Sequence, residues 1–145
     1  MKKLITTTLP VLLLFNIIFS SCEKPAVEDR KPGNTNGGVF TVNYKWTPKD
    51  PAKKEKPGSG DITDGEKGVT FLLDPQLRAD MCCTGGKWGV TVVPPNNNTV
   101  YIVKQNPKTG QVSFITTSQA TYQILITYTC PDGTAYVVSI SITAD

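Results

Sequence analysis

The sequence predicts an all-β sandwich preceded by a segment that is not part of the fold. Three observations carry this. From Val39 onward, short runs rich in Val, Ile, Thr, Tyr and Phe alternate with turn residues, and no stretch of helical length keeps a helical apolar period. In the last 25 residues an apolar side chain recurs at every second position on both sides of one turn. Before Gly38 the chain is either largely apolar, from Leu9 to Phe19, or dominated by Pro, Gly, Asn and charge.

The C-terminal hairpin is the clearest element. In the run Thr121 to Cys130, Tyr122, Ile124, Ile126, Tyr128 and Cys130 fall on one face; in Thr134 to Thr143, Tyr136, Val138, Ile140 and Ile142 do the same. Alternation on both arms means one face is buried and the other is wet. Pro131-Asp132-Gly133 joins them. Proline presets φ, aspartate bonds to nearby backbone and glycine takes positive φ. Earlier strands are expected at Val39 to Trp46, Val69 to Leu73, Trp88 to Val93, Thr99 to Lys104 and Gln111 to Thr116. Asn106-Pro107-Lys108-Thr109-Gly110 turns between the last two, and Pro94 to Asn98 separates the pair before it. Seven short strands with frequent turns point to a sandwich.

Ala120-Thr121-Tyr122-Gln123-Ile124-Leu125-Ile126-Thr127-Tyr128, with the turn and strand that follow, resembles the last two strands of bacterial Ig-like and PKD-like domains. The resemblance implies an Ig-like antiparallel β-sandwich over residues 39–145, with Tyr122 as a tyrosine corner and Trp88 as the core tryptophan. The Trp-Asp-Phe-Gly-Asp-Gly type motif of PKD domains is missing.

At the other end, Lys2 and Lys3 precede an apolar stretch from Leu9 to Phe19 and two serines before Cys22. This is the layout of a secretory signal peptide, and the stretch is short of the roughly 20 apolar residues of a transmembrane helix. Phe19-Ser20-Ser21-Cys22 resembles the lipobox of bacterial lipoproteins, with Phe19 in place of the usual Leu. That resemblance implies cleavage after residue 21 and lipidation of Cys22, hence a membrane partner. Residues 22–38 then read as a flexible tether. Its acids Glu23, Glu28 and Asp29 resemble the signal that sends lipoproteins of Bacteroidetes-type bacteria to the cell surface. The expected location is the outer membrane, periplasmic or surface-exposed.

Composition narrows the chemistry. Of 15 basic residues, removal of Lys2 and Lys3 leaves 13 against 12 acidic ones. That balance is far from the dense basic face a nucleic-acid partner needs. The chain has no histidine. Ser-His-Asp triads, Cys-His pairs and His-ligated metals are therefore excluded, and no cofactor is implied.

Three cysteines remain after Cys22: Cys82, Cys83 and Cys130. Outside the cytoplasm disulfides persist, and the alternation puts Cys130 in phase with the core face. A bridge from it to Cys82 or Cys83 is expected. The alternatives are three free thiols or a vicinal Cys82–Cys83 bridge with redox character.

Candidate contact residues fall in two groups. Phe40, Tyr44 and Trp46 share one side of the first strand and would make a stacking surface for a glycan or partner if that side were exposed; core packing is the competing reading. Thr47 to Lys67 reads as a long irregular, solvated loop carrying Lys49, Lys53, Lys54 and Lys56, with Asp50, Glu55, Asp61, Asp64 and Glu66 offsetting much of its charge. Asp61 to Glu66 gathers carboxylates beside a glycine but lacks the EF-hand register, so no metal site is assigned. Asp74-Pro75 and Asp80 read as turn residues. The expected function is a non-catalytic, lipid-anchored binding module contacting an envelope protein or glycan. The alternatives are a structural accessory subunit of an adhesin or secretion assembly, and a small redox or hydrolytic enzyme.

Overall fold

The structure, a computed structural model, describes residues 40–79, 81 and 83–145, and among these every helix or strand is a strand. In chain order they are β1 Phe40–Trp46, β2 Lys56–Ser59, β3 Ile62–Gly65, β4 Thr70–Leu77, β5 Lys87–Val93, β6 Tyr101–Gln105, β7 Val112–Thr116, β8 Ala120–Thr129 and β9 Ala135–Ala144. The expected signal peptide (1–21), Cys22 and the tether (22–38) lie outside the described residues, as do Asp80 and Cys82.

Two sheets form, in the orders β2-β1-β4-β7-β6 and β3-β9-β8-β5. All pairings are antiparallel except β3 with β9. Without β2 and β3, four strands face three in the partition of a constant-type Ig domain. The Ig-like sandwich is present with nine strands in place of about seven.

Both additional strands lie in the segment expected to be an irregular loop. There the expectation is corrected. The chain leaves β1, turns at Asp50, where its carbonyl accepts from Lys53 N at 3.0 Å, and returns as β2 alongside β1. It then crosses to the other sheet. Gly60, at φ +92°, makes the change of direction, Asp61 Oδ1 accepts from Ser141 N at 2.8 Å, and Ile62, 1 % exposed, enters the core as β3 beside β9. A buried Ile and satisfied backbone groups hold what composition alone leaves unstructured.

β4 is longer than expected, and Asp74 and Pro75 lie within it rather than in a turn. Its pairing with β7 ends at Leu73, so Pro75 falls where β4 has a neighbour on one side only. A missing N–H is tolerated there.

The core lies between the sheets. Phe40, Val42, Trp46, Phe71, Leu73 and Phe114 of the larger sheet meet Tyr122, Ile124, Ile126, Ile140 and Ile142 of the smaller, none more than 2 % exposed. Burying each such side chain is worth about 1.5–3 kcal/mol before conformational entropy is counted. Edge-to-face ring pairs join the sheets directly, Phe40 with Trp88 and Phe114 with Tyr122, both at 5.1 Å between centroids. Tyr122 forms a corner through a side chain. Its hydroxyl is hydrogen-bonded to Thr116 Oγ1, which in turn donates to Val100 O at 3.1 Å and accepts from Ser118 N at 3.1 Å.

The bridge joins Cys83 to Cys130. Tyr128 reinforces it, donating to Cys83 O at 3.1 Å and accepting from Gly86 N at 2.9 Å. The segment between β4 and β5 is thereby fastened to the end of β8.

Candidate functional site

The first strand does not offer a stacking surface. Its even-numbered residues face inward, so Phe40 and Trp46 are core residues, and Trp46 packs against Phe71 with centroids 5.6 Å apart. Tyr44 is half-buried, its ring lying over Gly58, where a Cβ would come within 2.4 Å of the ring. A glycan cannot stack on Trp46 while the domain is folded.

The basic segment is likewise dispersed. Lys53 and Lys54 are exposed near the turn before β2. Lys56 is opposite Trp46 on β2, so its ammonium lies 4.8 Å from the Trp46 ring centroid and pairs with Asp64. That hydrogen bond holds the Asp64 carboxyl below its ordinary range. The other acids of this stretch point to different partners. Asp61 bonds Ser141, and Glu66 Oε2 accepts from Lys49 N at 3.0 Å. Among the described residues no three His, Cys, Asp or Glu side chains gather as a metal-binding group.

A site appears instead on the outer face of the larger sheet, where Tyr44 is the one lining residue that the sequence had singled out as a candidate contact. In an antiparallel sheet, residues directly opposite share a face. Lys45 is opposite Leu72, Leu72 opposite Ser113, and Ser113 opposite Lys104, giving one row across four strands; Asn43 and Asp74 begin a second row beside it. Gln105, Asn106 and Gln111 close the end where β6 turns into β7, and the whole encloses an open groove of about 860 Å³. That is within the range of small-ligand sites.

Leu72, 41 % exposed, supplies an apolar floor. Around it stand three side-chain amides (Asn43, Asn106 and Gln111), the Ser113 hydroxyl, two ammonium groups and one carboxylate. Each amide offers an acceptor and two N–H donors. Asn106 Oδ1 already accepts from Lys108 N at 3.0 Å, which fixes the turn and leaves its NH₂ group for a ligand. Gln105 is opposite the core residue Val112 and so faces the inner side of the sheet, where its Nε2 is buried without a hydrogen-bond partner among the described residues, and it is not a donor to the outer face. Lys45 Nζ lies 3.9 Å from Glu55 Oε2, both about half exposed, a weak pair that a ligand can displace.

The arrangement suits a chain of hydroxyl and carbonyl groups, neutral or anionic, lying across the strands. Fold and groove together define an Ig-like β-sandwich with a polar sheet-face groove. No protein-family model matches the chain, and no curated protein is similar to it.

Proposed function

We propose that this protein is a lipid-anchored binding module of the outer membrane, acylated at Cys22 and carrying its sandwich on the tether 22–38. Its ligand is an extended glycan or polypeptide segment taken up in the groove of the larger sheet, without catalysis. The observation that carries the reading is the groove's lining: amides, ammonium groups and an exposed Leu72 in one continuous concavity. Supporting it, Phe19-Ser20-Ser21-Cys22 supplies the anchor pattern, and a chain with no histidine lacks the commonest general base at neutral pH.

The experiment has two arms that separate the ligand classes. Glycan-array binding and pull-down mass spectrometry from intact membranes are each run with the parent and with Asn43→Ala/Leu72→Ala/Gln111→Ala. All three side chains point outward, so the variant keeps its fold. A glycan hit or a stoichiometric polypeptide lost only in the variant supports the groove; a ligand retained by the variant sinks it. Protease shaving of whole cells tests the location, and a domain digested only after lysis is not on the surface.

A further inference from the structure

Four strands lie at sheet edges, and three of them are blunted. β2 and β3 have four residues each, β2 containing Pro57 and β3 interrupted by a register shift; β6 has five, with Lys104 near its end. These are the ordinary protections of an edge. β5 has only Lys87, at its first position. It runs for seven residues, Lys-Trp-Gly-Val-Thr-Val-Val, with no proline and no bulge, and pairs with β8 at every position.

The core rows also run out of cover at β5. Ile140, Ile124 and Val92 form one row of the inner face, and Val138, Ile126 and Val90 the next. Ile140, Ile124 and Ile126 are wholly buried and Val138 is 5 % exposed, yet Val90 and Val92 remain half-buried. Val93, on the outer face, is 44 % exposed. Among the described residues no strand lies beyond them.

We infer that β5 is a self-association seam, pairing antiparallel with β5 of a second copy of this chain. The register follows from parity. Pairing must keep core-facing residues opposite core-facing residues, because a shift by one residue would put one sandwich on the wrong side of the joint sheet. With full overlap, the two-fold axis passes at Val90. Val90 then faces Val90 of the partner, Trp88 faces Val92, Gly89 faces Thr91 and Lys87 faces Val93. Aromatic–β-branched and Val–Val pairs are favourable cross-strand neighbours, and no like charges meet. An isologous seam of this kind closes on itself as a dimer.

The chain's own N-terminal segment is a poor occupant. Residues 23–38 contain Pro25, Pro32, Gly33, Gly37 and Gly38 and no run of β-formers. One strand pair buries less than the ~800 Å² per partner of a standard interface, so the dimer is concentration-dependent. This inference does not depend on the ligand or location proposed above.

Two measurements on the full chain, purified in detergent, test it. In sedimentation equilibrium the weight-average mass rises toward twice that of the monomer as concentration is raised about a hundredfold; a constant monomer mass overturns the seam. In a Cys82→Ala background, Val90→Cys forms an intermolecular disulfide on mild oxidation, because directly opposed residues meet the geometry a disulfide requires. Val93→Cys, about 20 Å from its own copy in this register, forms at least about tenfold less. Equal yields from the two variants, no crosslink in Val90→Cys, or an adduct of that variant's new thiol with a different protein rejects the second copy as the occupant.

Discussion

Removal of the Cys83–Cys130 bridge tests how much of this fold rests on one covalent link. The bridge closes a loop with a sequence separation of 47. Loop-closure entropy for that length comes to about 4 kcal/mol at 25 °C. In the folded state Cys130→Ala leaves the Tyr128 hydroxyl still bonded to Cys83 O and Gly86 N, so the segment before β5 stays in place. The loss therefore falls on the unfolded chain, which gains freedom once uncrosslinked. The expected destabilisation is about 3–5 kcal/mol, including the small void left at a site 4 % exposed. Urea unfolding followed by tryptophan fluorescence reads it. With a slope near ~1.5 kcal/mol per molar, the midpoint falls by about 2–3 M, and the slope itself rises because the open chain exposes more surface. Cys82→Ala keeps the parent midpoint while Cys83→Ala loses it. A loss under about 1 kcal/mol, or equal losses for the two neighbours, refutes the reasoning.

Other perturbations probe separate parts of the structure. Tyr122→Phe removes the hydroxyl bonded to Thr116 Oγ1 and costs about 1 kcal/mol by denaturant titration, since Thr116 keeps Val100 O and Ser118 N as partners. Gly110→Ala combines a positive φ of +79° with a Cβ 2.6 Å from the Trp88 ring; it costs about 1–3 kcal/mol and shifts tryptophan emission. The depressed carboxyl of Asp64 stabilises the fold above the pKa of an unfolded aspartate and loses that contribution as pH falls through its lowered folded pKa. Both partners are exposed, so thermal scans show a loss below about 1 kcal/mol at the acid end, absent in Asp64→Asn. With no histidine in the chain, stability between about pH 5 and 7.5 is flat.

How far the fold was legible depends on how local its causes are. The hairpin of β8 and β9 is written in ten-residue alternations, because each arm has one buried face and a turn that closes on itself, with Gly133 N on Cys130 O at 2.9 Å. β1, β5, β6 and β7 carry shorter versions of that pattern. The disulfide was legible only as far as its compartment and the phase of Cys130; which adjacent cysteine it takes is set by backbone direction, which a sequence does not state.

β2 and β3 were hidden for a different reason. Lys56-Pro57-Gly58-Ser59 and Ile62-Thr63-Asp64-Gly65 have the composition of loops, and neither would be a strand alone. Each is made a strand by something distant: β2 by the edge of β1, β3 by Ser141, whose N–H bonds Asp61 across 80 residues of sequence. The groove is hidden in the same way and more completely. Asn43 and Asp74 are 31 positions apart and become neighbours only because β4 pairs with β1; Lys104 joins them only because β7 and β6 follow β4 in the sheet. The residues that looked functional in the sequence were the large aromatics of β1, and the sandwich uses most of them to hold itself together. Outward polar residues, ordinary one strand at a time, line the groove once strand order brings them together. In a β-sandwich the core is therefore legible strand by strand, whereas a sheet-face site requires the strand order and can be read only after the topology is known.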